Sequence, residues 1–261
     1  MKITVFTSNQ PRHNALIARL AEVADTVYAV QECNTIFPGE VQDFFKKSDT
    51  MQRYFSHVIA AERKIFGQVT FPPENVRSLP IKSGDLSRLG RDSLGAAMDA
   101  DVFLVFGASY IKGWLIDELV DRRAINIHMG VSPYYRGSAC NFWALYDDRP
   151  DYVGATIHML SKGLDSGEML YHCAPRILPG DSPFDFTMRA VEIAHASVAH
   201  RIATGALFEI APVAQDKTQE LRYTRNADFT DAIAAEFLAR NMSIQGRSLS
   251  YPDLLAPYFG D

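Results

Sequence analysis

Residues 124–137 read A-I-N-I-H-M-G-V-S-P-Y-Y-R-G, and this stretch predicts a buried strand that ends in a polar loop. Side chains alternate between the two faces of a strand, so Ile125 and Ile127 point one way while Asn126 and His128 point the other. The second half of the stretch contains two glycines and a Ser-Pro pair, which is the composition of a loop. Polar side chains at the carboxyl end of a central strand lie where open α/β sheets place their binding crevice.

A second pair of predicted strands supplies a carboxylate to the same region. Residues 154–160 (GATIHML) alternate as a strand does, and residues 168–173 (EMLYHC) form the next one. Only seven residues, SKGLDSG, join them, whereas a parallel crossover needs a dozen or more, so one of these strands is predicted to be antiparallel. Asp165 lies between two glycines in this turn, and with Asn126 and His128 it makes a predicted acid/base and oxyanion set.

The rest of the chain alternates predicted strands and helices. Apolar runs predict strands at 3–7, 26–30, 76–81, 101–106 and 221–224. Helical spacing predicts helices at 14–24, 40–66 (one or two), 114–120, 138–146 with Ser138 as N-cap, 181–205 capped near Ser182, and 228–240. This pattern predicts an α/β fold: a doubly wound, mostly parallel Rossmann-like sheet with a short C-terminal extension. We expect a catalytic domain at residues 1–208 and the extension at 209–261.

Composition bounds the function. The chain has 261 residues, 47% of them hydrophobic and 22% charged, with a formal net charge of −5, which is ordinary for a globular protein and argues against a general nucleic-acid or acidic-membrane surface. No apolar run approaches the ~18 residues that span a bilayer, and the first residues (MKITVFT) look like a strand and not a signal peptide. We expect a cytoplasmic protein.

Cysteines and the other histidines suggest no metal site. Cys33, Cys140 and Cys173 are widely spaced without a ligand pattern, so we expect reduced thiols and no metal. His158, His195 and His200 are expected to be structural. The 40–66 segment carries an aromatic and basic stripe, which we expect to be core on one face and solvated charge on the other, with contact to a nucleotide as the alternative.

These motifs together resemble one enzyme family. N-x-H, a Ser-Pro and Arg-Gly loop, and a G-L-D-S-G turn about 37 residues later resemble the enzymes that transfer a formyl group from N10-formyltetrahydrofolate to an amine. The resemblance covers roughly residues 1–205. It implies the formyltransferase fold, N10-formyltetrahydrofolate as co-substrate, and Asn126, His128 and Asp165 as catalytic residues.

The resemblance also suggests where the two substrates bind. Residues 8–13 (SNQPRH) form a polar turn before a predicted helix, whose free N–H groups and dipole favour an anion, and the resemblance implies a phosphate there. Arg136 is a competing site for the same phosphates. The residues expected to hold the acceptor are therefore Ser8, Asn9, Gln10, Arg12 and Arg136. Those expected to contact the folate are Tyr110, Ile111 and Leu164.

Three classes compete for the acceptor or ligand. Formyltransferases acting on sugar nucleotides share the S-N-Q-P-R-H opening and the H-M-G and N-F-W-A-L segments, and about 50 C-terminal residues are too few for a tRNA-recognising barrel domain. The favoured acceptor is GDP-perosamine (GDP-4-amino-4,6-dideoxymannose), for lipopolysaccharide O-antigen synthesis. The alternatives are a glycinamide ribonucleotide transformylase and a non-catalytic folate- or nucleotide-binding regulator. We expect no nucleic-acid or membrane partner and leave a homodimer open.

Overall fold

The computed structural model describes residues 1–33 and 43–259 of the chain. Within these residues an eight-stranded sheet has the order β10-β8-β7-β5-β4-β1-β2-β3. Its strands are β1 Lys2–Ser8, β2 Thr26–Cys33, β3 Val76–Lys82, β4 Val102–Val105, β5 Ile125–His128, β7 Ala155–Met159, β8 Met169–Ala174 and β10 Tyr258–Phe259. A second, two-stranded sheet pairs β6 Tyr135–Gly137 with β9 Arg222–Thr224.

The sheet is parallel except at one strand. β7 runs antiparallel to both of its neighbours, β5 and β8, while all other ladders in the described sheet are parallel. The predicted antiparallel strand is thereby confirmed, since the short 161–167 connection cannot carry a crossover. Because β7 is reversed, the loop after it starts beside the amino end of β5.

Helices cover both faces of the sheet. The α-helices are α1 Pro11–Ala21, α2 Asp49–Phe66, α3 Arg91–Leu94, α4 Trp114–Asp121, α5 Cys140–Tyr146, α6 Pro183–Ala203 and α7 Asp231–Ala239. Buried residues of α1, α2 and α6 pack on one face of the central strands, and those of α3 and α4 pack on the other. The doubly wound α/β fold predicted from the sequence is confirmed. No helix in the described part of the chain is long and apolar enough to cross a bilayer.

Three helix starts differ from the sequence prediction. α1 begins at Pro11 and not at Asn14, since proline is well tolerated in the first turn of a helix. Ser138 is not the N-cap of α5, because Ala139 holds that position in a left-handed conformation (φ 55°) with no side-chain cap. α2 begins at Asp49 after a short 3-10 turn at Phe44–Lys46, while residues 40–42 of the predicted helix lie outside the described residues.

The C-terminal segment packs against the rest of the chain. α6 has the predicted start, with a capping box in which Ser182 and Asp185 exchange hydrogen bonds. Beyond it, β9 pairs with β6, β10 extends the main sheet beside β8, and Phe237 of α7 joins the core cluster that contains α5. The division at residue 208 stays a prediction.

Candidate active site

β5 presents two polar side chains on one side of the sheet, as its alternation predicts. Ile125 and Ile127 lie in the main core cluster, whereas Asn126 is half-buried and His128 is buried at the carboxyl end of the strand. β4 and β7 flank β5 on either side. The strand therefore fixes the spacing between Asn126 and His128.

Asp165 reaches these residues on a loop that returns along the sheet. Met159 N donates to Glu168 O (2.8 Å) at the neck of this loop, and Gly167 fits there because a Cβ at that position would lie 1.7 Å from Met159 O. Asp165 itself has φ 44°, a left-handed conformation that costs energy for a non-glycine residue. Gln215 Nε2 donates to Asp165 O and to Gly167 O (both 2.9 Å), which holds the loop in place.

The three predicted catalytic residues are in contact. Asn126 Nδ2 donates to Asp165 Oδ1 (3.1 Å), and His128 Nδ1 lies 3.4 Å from Asp165 Oδ2. The carboxylate of Asp165 thus bridges the amide and the imidazole. This arrangement joins a hydrogen-bond donor, a titratable ring and a carboxylate, which suits acid/base chemistry at a carbonyl carbon.

His158 belongs to the same hydrogen-bonded set, although a structural role is expected for it from the sequence. Its Nδ1 lies 2.8 Å from Met159 O, which can only accept, so Nδ1 carries the proton. Its Nε2 then accepts from Asn126 Nδ2 at 3.0 Å, and both N–H groups of the Asn126 amide are engaged. The signal that could have identified His158 is the antiparallel register, which places it directly opposite Asn126.

Electrostatics couple His128 to Asp165. Burial disfavours the charged form of His128, but the Asp165 carboxylate and Cys140 outweigh burial and raise the pKa of His128 above its ordinary range. Burial favours the neutral form of Asp165, but the charge and hydrogen bond of His128, together with His158, hold the pKa of this carboxyl below its usual range. Both shifts favour the ion pair of an imidazolium and a carboxylate over the neutral pair.

One small pocket lies beside Asn126, His158 and Asp165. Its volume is 90 Å³, and its lining includes all three residues expected to contact folate: Tyr110, Ile111 and Leu164. Tyr110 is half-exposed and donates its hydroxyl to Lys162 O (2.6 Å), which joins the two loops that form the pocket. The buried carboxylate of Glu32 accepts from Ser109 N and Ser109 Oγ and thereby holds one of these loops.

A larger cavity is lined by neighbours of His128. Its volume is 820 Å³, and Cys140, whose Sγ lies 3.5 Å from His128 Nε2, forms part of its wall. Aromatic side chains dominate one region of this cavity, and Lys47 and Arg12 contribute the positive charge; the aromatic residues are Tyr54, Phe55, Phe142, Phe184, Phe229 and Phe237. The stripe on α2 therefore faces this cavity with part of its aromatic side.

The turn before α1 has a different environment from the predicted free anion site. Glu62, a buried carboxylate on α2, accepts from Arg12 N (3.1 Å) and from Arg12 Nη1 (2.8 Å). The carboxylate therefore already takes an N–H group of the helix start and the guanidinium, which the sequence could not show because Glu62 is 50 residues away. Ser8 Oγ donates to Glu32 O, while Gln10, the N-cap, has a buried Oε1 without a hydrogen-bond partner. Asn9 O accepts from Asn14 Nδ2 (2.9 Å).

Arg136 lies outside both of these pockets. It is buried on β6, and its Nη1 donates to Glu220 Oε2 at 2.7 Å. Its guanidinium carbon is 6.0 Å from the ring centre of Tyr223 on β9. The structure thus brings Asn126, His128 and Asp165 close to the residues expected to contact folate and leaves Arg136 apart from them.

The remaining candidates show no metal arrangement. In residues 1–33 and 43–259 no three or more His, Cys, Asp or Glu side chains are grouped to hold a metal ion. Cys33, Cys140 and Cys173 are free thiols. His195 is buried with neither ring nitrogen hydrogen-bonded, and His200 is exposed, so both lie apart from the polar set on β5.

Comparison with known proteins confirms the family resemblance for the central part of the chain. Residues 83–202, which are less than half of the chain, match the protein-family model described as formyl transferase, so this segment is similar to a family of enzymes. This segment contains Asn126, His128, His158 and Asp165.

Curated relatives match over shorter segments. They include methionyl-tRNA formyltransferases, such as one from Desulforamulus reducens that is 37% identical over 65 residues, which is 25% of this chain and 20% of the relative. Across the compared relatives the matched segments cover 20% to 49% of each relative. The chain thus matches less than half the length of these proteins.

Solved structures share the fold at low sequence identity. A 4-N formyltransferase from Francisella tularensis is 16% identical, covers 100% of this chain and 92% of that chain, and gives a TM-score of 0.55. A phosphoribosylglycinamide formyltransferase from Anaplasma phagocytophilum is 16% identical over 87% of this chain and 99% of that one, with a TM-score of 0.52. An N-formyltransferase from Helicobacter canadensis, solved with folinic acid and dTDP-3-aminofucose, is 14% identical over 88% of this chain and 72% of that chain, with a TM-score of 0.50.

Proposed function

We propose that this protein transfers a formyl group from N10-formyltetrahydrofolate to the amino group of a nucleotide-linked amino sugar. The observation that carries the proposal is the hydrogen-bonded set of Asn126, His128, Asp165 and His158 between a small pocket and an 820 Å³ cavity. Two substrates that react with each other at one centre need a separate binding space for each beside the reacting groups.

The chemistry follows from the donors and acceptors in this set. The folate supplies the formyl group, and a neutral amine attacks its carbonyl carbon, so negative charge develops on the oxygen. Asn126 can turn one of its N–H groups to that oxygen, an effect worth about 3 to 4 kcal/mol in comparable sites. His128 can add a second donor or take the amine proton, and Asp165 stabilises the charged imidazole. We expect no metal to be needed.

The small pocket fits only the reactive end of a folate. Its 90 Å³ is below the ~300 to 1,000 Å³ typical of ligand sites, so a bound folate requires the 107–113 and 161–166 loops to separate. The hydroxyl of Tyr110 and the carbonyl of Lys162 form the contact that must open. Ile111 and Leu164 then supply apolar surface to the ring system.

The 820 Å³ cavity has the size and chemistry of a nucleotide site. Aromatic rings can stack on a base, and Lys47, whose Nζ lies 5.1 Å from the ring centre of Phe55, can approach a diphosphate. Arg12 lines the same cavity, so a phosphate there would share the guanidinium with Glu62. The wall at Met129 and Cys140 leads to His128, where the amino group of the sugar would react.

The identity of the sugar nucleotide rests on the sequence resemblance. GDP-perosamine, for lipopolysaccharide O-antigen synthesis in the cytoplasm, is the proposed acceptor. A glycinamide ribonucleotide transformylase is the second candidate, because the fold is shared with a phosphoribosylglycinamide formyltransferase. An intact catalytic set argues against a non-catalytic regulator.

An acceptor panel tests this proposal. The purified protein is mixed with N10-formyltetrahydrofolate and, in turn, with GDP-perosamine, dTDP- and UDP-linked amino sugars, glycinamide ribonucleotide and methionyl-tRNA. Tetrahydrofolate release and the formylated product are measured together. We expect turnover with GDP-perosamine that depends on Asn126.

Each outcome has a distinct meaning. Turnover with another amino-sugar nucleotide would change the acceptor but keep the class, and turnover with glycinamide ribonucleotide alone would establish the second candidate. Stoichiometric folate binding without turnover on any acceptor would overturn the enzyme proposal in favour of a regulator.

A further inference from the structure

Cys140 is placed against the catalytic histidine by the local backbone. It is the first residue of α5 and is 1% exposed, and Ala139 before it has φ 55°. Its Sγ lies 3.5 Å from His128 Nε2 and 3.4 Å from Gly137 O. The sulfur is therefore in reach of one ring nitrogen and one carbonyl oxygen.

Gly130 closes the space beside this contact. A Cβ at position 130 would lie 2.5 Å from Cys140 Cβ, 3.0 Å from its Sγ and 2.9 Å from His128 Nε2. The thiol and the imidazole are thus packed directly on the backbone of Gly130, and no side chain could occupy that position without moving them.

The two contacts of Sγ are both hydrogen bonds at once with only one set of directions. A carbonyl oxygen can only accept, so the thiol hydrogen of Cys140 goes to Gly137 O. Toward His128 the sulfur can then only accept, which requires a hydrogen on Nε2. The carboxylate of Asp165 can also only accept, so a hydrogen bond to it requires a hydrogen on Nδ1.

The other titratable group near this ring fits the same assignment. His158, on β7, has its ring centre 6.3 Å from that of His128, and its Nδ1 proton is directed to Met159 O. Its Nε2 faces the amide of Asn126 and the carboxylate of Asp165. Neither contact requires a hydrogen on both ring nitrogens of His158, whereas each ring nitrogen of His128 faces an atom that can accept a hydrogen bond.

We propose that Cys140 is a positioning residue that holds His128 as an imidazolium by accepting a hydrogen bond from Nε2. The catalytic consequence rests on the proposed formyl transfer. His128 then acts as a donor to the developing oxyanion and not as the base, because neither ring nitrogen has a free lone pair. Sulfur is a weak acceptor, so the oxyanion can take over the Nε2 hydrogen at little cost.

The proton balance of the transfer changes accordingly. When the amine nitrogen bonds to the formyl carbon, its surplus proton goes to the Asp165 carboxylate. When the bond from that carbon to N10 of the folate breaks, Asp165 passes this proton to N10 and is again a carboxylate. His128 keeps both of its hydrogens throughout.

A nuclear magnetic resonance titration tests the protonation state without any substrate. The ring nitrogens of ¹⁵N-histidine-labelled protein are followed between about pH 6 and 9. The His128 signals are assigned with His128→Gln. We compare the wild type with Cys140→Ala and Cys140→Ser, and with Cys33→Ala as a thiol control away from the site.

The expected titration results do not depend on enzymatic activity. In the wild type both nitrogens of His128 remain protonated across neutral pH. In Cys140→Ala the pKa of His128 falls by ~1 unit, which is a tenfold rise in the neutral fraction where that form is minor, whereas Cys140→Ser and Cys33→Ala keep the wild-type titration.

Two results would overturn the proposal. One is a neutral His128 near pH 7 in the wild type, which needs no variant to be folded. The other is an unchanged His128 titration in folded Cys140→Ala. Absence of formyl transfer on every acceptor would refute the proposed function but would leave these two readouts intact.

Discussion

Asn126 uses both of its amide N–H groups inside the protein, one on Asp165 and one on His158. If one of them turns to the developing oxyanion, Asn126→Ala should lower kcat by about 100-fold or more, because the oxyanion loses a preorganised donor. Steady-state kinetics with the best acceptor of the panel measure this effect. His128→Ala should have an effect of similar size.

A folding control belongs with that comparison. Asn126 is half-buried, so the melting temperature of Asn126→Ala should stay close to that of the wild type, and a loss of rate cannot then be ascribed to unfolding. Near-normal turnover in either variant would remove that residue from the catalytic set.

Asp165 controls the charge of His128. Removing the carboxylate in Asp165→Asn takes away the main interaction that raises the pKa of His128, so this pKa should fall. Because the charged ring is the active form, the alkaline limb of the pH–rate profile should move to lower pH and the maximal rate should drop. A pH–rate profile and rate equal to the wild type would place Asp165 outside the mechanism.

Arg12 and Arg136 give a test of where the phosphates bind. Arg12→Ala alone would leave the buried carboxylate of Glu62 unpaired, so we compare Arg12→Ala/Glu62→Gln with Glu62→Gln. The double variant should raise KM for the sugar nucleotide about 10-fold, since a charge-assisted hydrogen bond is worth ~1.5 to 3 kcal/mol, while KM for the folate barely changes. A rise in Arg136→Ala and not in the double variant would place the phosphates at the 129–137 loop.

The segment that follows α6 supports the loop that carries Asp165. Val213 exchanges two backbone hydrogen bonds with Met169, and Gln215 donates both N–H groups of its amide to the loop carbonyls of Asp165 and Gly167. Gln215→Ala should therefore free the loop and lower kcat about 10-fold through misplacement of the carboxylate. Faster amide hydrogen exchange in residues 161–167 is the accompanying observation.

Gln219→Ala is the matched control for this prediction. Gln219 is exposed and bonds Asp216 rather than the loop, so neither kcat nor exchange should change. Unaltered exchange in Gln215→Ala would show that Met159 and Gly167 alone hold the loop.

The sequence predicted the elements well where one local signal dominates. Apolar runs predicted the parallel strands β1 to β5, the short 161–167 connection predicted the reversal of β7, and Ser182 predicted the start of α6. The short parallel strands β6, which lies in a predicted loop, and β10 were missed. Local signals failed where two compete: Pro11 started α1 earlier than the apolar spacing, and the left-handed Ala139 displaced Ser138 as a cap. The sequence around a helix start does not show which of two competing local signals the tertiary structure will favour.

Only the site residues that have a local sequence signal could be predicted. Asn126 and His128 share a strand, and Asp165 stands out between two glycines in a turn, so each has a local signal. Their grouping was predicted from neighbouring strand ends and from the family resemblance, because Asp165 is 39 residues from Asn126. His158 and Glu62 act through partners that are 32 and 50 residues away, and neither has a local pattern that distinguishes it from a core or surface residue. Cys140 is a similar case, because its contact with His128 depends on how α5 folds back.

The folded protein should become less stable in mild acid. Burial lowers the pKa of His172 to about 4 and that of His195 to about 3, so the unfolded chain binds more protons than the folded one below about pH 6.5. The free energy of unfolding should fall as the pH drops through this window. The raised pKa of His128 acts in the opposite range: its contribution is present below about pH 6.5 and is lost as the pH rises through the higher folded value.

His195 offers a direct test of this acid sensitivity. Both of its ring nitrogens are buried without hydrogen-bond partners, and the ring packs against Phe106 at 4.9 Å between centres. His195→Leu should therefore be at least as stable as the wild type at neutral pH and should lose less melting temperature between about pH 7 and 5. The exposed His200→Leu serves as control, and an equal acid response in His195→Leu and wild type would contradict the assignment.

The neck of the Asp165 loop restricts how this protein can diverge. At Gly167 a side chain would meet a backbone oxygen, which cannot rotate away, whereas Lys162 and Leu164 are exposed. In a library of random variants, position 167 should tolerate as few substitutions as the catalytic residues do. The exposed positions 162 and 164 should accept many. Exchange of loops between related enzymes should therefore succeed when the junction keeps this glycine, and should fail when it lies inside the neck.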